Sequence, residues 1–247
     1  MDVRSSFDIG SVLARTVAAI KDSPGLYLLL GLVLYAAPMA GFQIYLAAGP
    51  GVSKLEPAVQ DVIVAVASAL IAPLLQGAVL AAALTYNEGG ALTRAQCFSA
   101  ARANYLPLLG ISLLYGLAVG LGLLLFVIPG LIIATIWLLA APAQIAWRPA
   151  GQNAFDRSAE LTAGRRWPLF GMMAVFVIGF VIVASAGVAA MVLLEAVAGR
   201  LFANIAYSLA VETGLNVLFN VLLVSTFVQL TLAKEGPPSR LVAEVFA

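Results

Sequence analysis

Histidine is absent from this chain, and cysteine occurs once, at Cys97. These absences remove whole classes of chemistry. No disulfide can close within the chain, no imidazole can serve as a catalytic base, and ordinary zinc or haem ligation has no ligand set. No catalytic constellation, cofactor site or metal site is expected. Charge is scarce as well: 10% of residues are Asp, Glu, Lys or Arg, against about a quarter in a soluble domain. The 13 basic and 12 acidic residues leave a net charge of +1 and form no block of either sign. No overall field draws in nucleic acid, which is not expected as a partner. The N-terminal stretch is interrupted by Asp8, Arg15, Lys21 and Asp22. It therefore lacks the unbroken apolar core of a cleavable signal peptide, and the first apolar segment is expected to act as an uncleaved insertion signal.

What fills the chain instead is apolar. Hydrophobic residues make up 62% of it and the mean hydropathy is +1.03. No charged residue occurs from Ala103 to Trp147, a stretch with room for two crossings at about 20 residues each. Six apolar segments stand out, near 24–48, 58–86, 106–128, 131–147, 168–196 and 205–232. The expected fold is all-α: a polytopic membrane bundle of six transmembrane helices, one domain over residues 1–247. Ile128-Pro129-Gly130 reads as the tight turn between the third and fourth segments. The joins at 49–57 and around Gly199-Arg200 are also short.

Alternating the segments divides the cations unequally. One side receives Arg4, Arg15, Lys21, Arg94, Arg102, Arg148, Arg157, Arg165, Arg166, Lys234 and Arg240; the other receives Lys54 and Arg200. Because basic loops stay inside, both termini are expected in the cytoplasm.

The segments on the basic side resemble one another. SFDIGSVLARTVAAIKDSP ends at Pro24, LTRAQCFSAARANYLP at Pro107 and NAFDRSAELTAGRRWP at Pro168, each followed by a pair of spans. This suggests three repeats of an interfacial amphipathic helix plus a two-span hairpin, over units 5–86, 92–147 and 153–232, with a cytoplasmic tail at 233–247. In the first elbow Ile9, Val12, Leu13, Thr16, Val17 and Ile20 share a face; in the third, Ala154, Phe155, Ser158, Leu161 and Thr162 do. Thr93 and Gln96 have capping-box spacing at the start of the second. Helices of this kind lie in the headgroup plane with the apolar face down. After the third, Gly164 can adopt a left-handed stop and Pro168 suits the first turn of a span. Arg157, Arg165, Arg166 and Trp167 then become candidate anchors for lipid phosphates and the interface, with anionic inner-leaflet lipids as the partner.

The run IPGLIIATIWLLAAPAQIAW followed by NAFDRSAELTAGRRWPLFG resembles a bacterial membrane-domain family. That domain is found fused to some glycerophosphodiester phosphodiesterases and also as stand-alone polytopic relatives. The carrying features are Ile128-Pro129-Gly130, Arg157-Ser158, Leu161, Gly164 and Trp167, within residues 105–175. The resemblance implies a six-helix protein of the bacterial cytoplasmic membrane with interfacial elbows. It does not imply phosphodiesterase activity, which belongs to a separate soluble barrel.

Ionisable groups inside a span cost roughly 2.5–3.5 kcal/mol to insert and so mark functional candidates. Ser208, Glu212, Asn216 and Asn220 recur every four residues and draw a polar stripe on the sixth span. The stripe either lines an internal polar cavity or packs with its amides bridging to neighbouring helices. Asp61 and Glu195 fall near the outer ends of the second and fifth spans, with Arg200 and Lys54 as basic partners. Gly116-x-x-x-Gly120 is expected to serve intramolecular packing, and Cys97 to be a buried neutral thiol rather than an acylation site. Gln43, Gln76 and Gln144 fit no pattern. Two functions suit these features: a non-enzymatic membrane protein organising lipids or partner proteins at the inner leaflet, or a transporter with a polar cavity lined by the sixth span.

Overall fold

The computed structural model describes residues 8–49, 55–146 and 153–236. Part of the 49–57 join with Lys54, the first residues of the 5–86 unit, and most of the 233–247 tail lie outside the described residues. So do Arg4, Arg148 and Arg240.

The described residues form eight helical elements and no strand. They are α1 (Ile9–Asp22), α2 (Pro24–Ala48), α3 (Pro57–Asn87), α4 (Arg94–Leu125), α5 (Val127–Ala146), α6 (Ala154–Thr162), α7 (Arg166–Ala198) and α8 (Arg200–Glu235). Six of these, α2 to α5 with α7 and α8, are long and apolar enough to cross a membrane. In hydrocarbon no water satisfies backbone amides, so long apolar runs resolve as helices. Local chemistry sets the starts. Asp8 accepts from the amides of Gly10 and Ser11 at 3.1 and 3.0 Å, Asn153 accepts from Phe155, and the expected capping box of Thr93 and Gln96 is formed. Gly164 takes φ +79° after α6, as a left-handed stop requires.

Three expectations need correction. The second elbow is not a separate helix: α4 runs unbroken from Arg94 through Pro107 to Leu125. A proline removes its own donor and crowds the carbonyl four residues back, but inside an apolar span local adjustment and neighbouring helices accommodate this, so the helix continues. Pro73 is absorbed into α3 in the same way. The three units therefore do not share one plan. Secondly, the turn between α4 and α5 falls at Phe126 alone, not at Ile128-Pro129-Gly130. Pro129 and Gly130 lie in the first turn of α5, where proline is compatible with a helix start. Thirdly, Gly116 and Gly120 do not pack internally, since a Cβ at either would meet nothing within 4 Å.

The glycines that do bring helices together are elsewhere. A Cβ at Gly130 would sit 2.5 Å from the Leu123 amide nitrogen, and one at Gly122 would sit 2.7 Å from the Gly130 Cα. This mutual contact lets α4 and α5 run back to back after a one-residue turn.

α8 is the centre of the bundle, packed on α3, with α1, α2, α5 and α6 around it. Leu30, Leu75, Val79, Leu108, Val221 and Val224 make the core between them. Cys97 is 0% exposed in that core, which closes it to acylation. By contrast, none of the most apolar stretch of α7 is buried; this helix leans mainly on the first turns of α8 and on α5.

The two ends of the bundle differ. At one end, Tyr86 on α3 donates to Asp22 at the end of α1, and Gln229 on α8 donates to the Asp8 carbonyl at 3.1 Å and to the Ser11 hydroxyl. α6 is tied to the last turn of α8 at that same end. The elbows thus gather at one end, and the Arg200–Asp61 ion pair, 3.3 Å, sits at the other.

Gly130→Ala should lower thermal stability in detergent by about 1–3 kcal/mol through overpacking. Gly110→Ala, which meets nothing within 4 Å, should not. Equal melting temperatures for the two variants would contradict the close α4–α5 approach.

Candidate functional site

The polar stripe of α8 meets two other helices at a pair of irregular turns. Residues Leu32–Ala36 of α2 and Ser208–Glu212 of α8 are each wound as a π-turn, with backbone bonds to the fifth residue back. Such single turns are frequent at functional sites. A Cβ at Gly31 would lie 2.5 Å from Thr213 Cγ2, so only glycine there lets the two turns approach. Thr213 also donates its hydroxyl to the Ser208 carbonyl at 2.8 Å, closing the α8 turn with a side chain.

The turns place four side chains together. Tyr35 Oη donates to Glu212 Oε2 at 3.3 Å, and Ser208 Oγ donates to the same oxygen at 2.8 Å. Tyr35 Oη also meets Ser68 Oγ of α3 at 2.8 Å. With the tyrosine proton directed at Glu212, Ser68 is the donor in that bond, giving a relay from Ser68 through Tyr35 to the carboxyl. Three helices converge on one acid. Among the described residues no Lys or Arg lies within ion-pair distance of Glu212, and no group of three metal-ligating side chains forms.

The rest of the stripe behaves differently. Asn216 Nδ2 donates to the Glu212 carbonyl at 3.0 Å, and Asn220 Nδ2 to the Asn216 carbonyl at 2.8 Å. The amides bond back to their own helix rather than bridging to a neighbour. Ser208 and Asn220 are buried, whereas Glu212 and Asn216 are half-buried. Periodicity could place Ser208 beside Glu212, but Tyr35 and Ser68 carry no signal in their own segments; Tyr35 comes in on the α2 π-turn and Ser68 from the regular helix α3.

A second polar arrangement lies at the elbow end. α5 loses its helical pairing at residues 137–139. Ser158 on α6 mends this break: its Oγ donates to the Ile136 carbonyl at 2.7 Å and accepts from the Leu139 amide at 3.1 Å. Thr162 donates to the Ser158 carbonyl at 2.9 Å and reaches the Ile136 carbonyl at 3.4 Å. The small and apolar face of α6 is therefore buried against protein, with Ser158, Leu161 and Thr162 all inaccessible, rather than laid on lipid. Trp137 at the break packs on Phe155 with ring centroids 4.6 Å apart.

The proposed anchors divide accordingly. The Arg157 side chain is only 10% exposed and pairs with Glu160 at 3.3 Å and with Glu235. Lys234 donates to the Glu160 carbonyl and lies within electrostatic reach of Arg157 and Arg165. Arg166 is exposed, and Trp167 is 84% exposed with its ring edge-on to Phe170. Arg157 is thus an internal tie, while Arg166 and Trp167 face outward.

Comparison with protein-family models, curated proteins and solved structures finds no match.

Ser158→Ala would leave the buried Leu139 amide without its acceptor, at about 1–3 kcal/mol. The expected outcome is a lower melting temperature and faster hydrogen exchange at Leu139. Unchanged exchange there would show that the break is held by something else.

Proposed function

We propose that this chain is a non-enzymatic polytopic protein of the bacterial cytoplasmic membrane that organises inner-leaflet lipids or a membrane-protein partner through its elbow end. The positive-inside asymmetry of the sequence supports a cytoplasmic side for that end and for both termini. One observation carries the reading. α6 is fixed to α5 by Ser158 and to α8 by the Arg157–Glu235 pair, so the exposed Arg166 and Trp167 that follow are carried on a braced element. Cations near an anionic surface contribute about 1 kcal/mol each, and tryptophan prefers headgroup depth. Holding these groups on a braced element lowers the ordering cost of binding lipid.

The test is lipid retention. Arg165→Glu combined with Arg166→Glu should bind phosphatidylglycerol about tenfold or more weakly in native mass spectrometry, with phosphatidylcholine binding unchanged. Equal phosphatidylglycerol retention in a normally folded double variant would remove the anchoring role.

A second reading, transport, is favoured by a different observation: the Ser68–Tyr35–Glu212–Ser208 network joins three helices at two π-turns. A carboxyl held by hydroxyl donors and no cation can exchange a proton, and π-turns can revert to α-helix as helices shift. Glu212→Gln keeps the size and the hydrogen bonding of the side chain but cannot titrate. In proteoliposomes under an imposed potential, with a pH dye enclosed, the wild-type protein should carry protons and Glu212→Gln should not. Identical traces would end the transport reading of Glu212.

A further inference from the structure

A separate feature lies between α3, α4, α5 and α8, beside the break in α5. There the helices leave a partly open pocket of about 190 Å³. Gln76, Ser112, Tyr115, Trp137 and Phe219 line it, with Ile111, Leu138 and Leu223 supplying aliphatic walls. The pocket is built by the same event that breaks α5. Ser158 holds residues 137–139 out of the helical path, and Phe155 supports Trp137 from behind.

Its polar groups have an unequal balance of donors and acceptors. Ser112 spends its proton on Gln76 Oε1 at 3.3 Å, and Tyr115 spends its own on the Ala134 carbonyl at 3.3 Å. The two remaining donor groups, the Gln76 amide nitrogen and the Trp137 indole N–H, have no partner among the described residues. Neither donor is buried against protein without a partner; both belong to residues that line the pocket, whose four walls are helices apolar enough to cross a membrane. A ligand with an acceptor atom would match these donors.

Size and lining narrow its identity. The volume lies below the roughly 300–1,000 Å³ of sites that take whole drug-sized molecules, so one ring fits and a complete lipid does not. Tyr115, Trp137 and Phe219 offer flat faces and edges that suit a ring better than a flexible chain. An ionised group is disfavoured, because no charged residue lines the pocket.

We propose that this pocket binds a neutral, membrane-soluble ring bearing carbonyl acceptors, of the quinone headgroup class. One carbonyl takes the Gln76 amide, the ring lies among Tyr115, Trp137 and Phe219, and the tail leaves through the open side into lipid. The site shares no residue with the Glu212 network or with Arg165 and Arg166, although α6 braces both the pocket and the segment that carries those arginines.

The experiment uses the full chain in phosphatidylcholine nanodiscs, with Trp147→Phe and Trp167→Phe so that Trp137 is the only indole. Decylubiquinone is titrated while Trp137 fluorescence is followed. Saturable quenching is expected, about tenfold weaker in Gln76→Leu, which keeps bulk and removes the donor. Ala141→Leu, which fills the pocket without touching its polar groups, should abolish the saturable phase even if Gln76→Leu fails to fold. Quenching that never saturates, or that is the same in Ala141→Leu, would reflect partition into the bilayer and overturn the proposal. Decanoate displacing the quinone at equal concentration would show a chain site instead, and would overturn it as well.

Discussion

Backbone hydrogen bonding in a medium without water is the constraint from which the rest of this structure follows. A lipid-facing amide has no alternative partner, so the chain remains helical through Pro73 and Pro107 where a soluble chain would turn. Helix geometry is relaxed at only three places inside the candidate spans: the π-turns of α2 and α8, and the break in α5. At the α5 break Ser158 makes good the loss, and at the α8 turn Thr213 adds its hydroxyl to a Ser208 carbonyl that its own amide already reaches. The departures are therefore built features, and the polar chemistry of the protein collects beside them.

Repair from another element has a mechanical consequence. Thr213 acts within its own helix, but Ser158 reaches from α6 across to α5. That couples the elbow to the interior of a span. Arg157 continues the connection to Glu235 at the end of α8, and Gln229 joins α8 to α1. One end of the bundle is therefore cross-linked by side chains, while the opposite end has the exposed Arg200–Asp61 pair. Exposed ion pairs contribute about 0–1 kcal/mol, so any opening of the bundle costs least at that end. The Glu212 network lies in the half of α8 that starts at Arg200, 12 residues along, or about 18 Å.

Much of this was legible in the residues, and the exceptions have physical causes. The six long apolar runs, the Thr93 box and the stop at Gly164 follow from local chemistry and appear where that chemistry puts them. The α4–α5 turn was misplaced because proline and glycine carry two meanings. In Ile128-Pro129-Gly130 proline opens a helix and glycine permits close packing, so neither marks the turn itself. Half of the Glu212 network was also hidden. Ser208 shares a helix face with Glu212, but Tyr35 joins on a π-turn that no periodicity announces, and Ser68 joins from another helix through Tyr35.

The two polar sites differ in how far their hydrogen bonding is complete, and that difference bears on what each can do. Asn104, Asn216, Asn220, Thr162 and Thr226 each return a donor to a carbonyl one turn back in their own helix. Their donors are satisfied without a partner helix, although Asn104 Oδ1 and Asn220 Oδ1 stay buried with no partner among the described residues, so a polar stripe alone is weak evidence for a cavity. Gln76 and Glu212 do not follow this pattern: their bonded partners are side chains, with Ser112 and Tyr35 coming from other helices. Glu212 receives two hydroxyl donors at one carboxyl oxygen; Gln76 accepts from Ser112 at its oxygen, and its amide nitrogen has no partner among the described residues. Each is held by side chains from other helices while part of its hydrogen-bonding capacity stays open, and that sets these two residues apart from the amides bonded to their own helix.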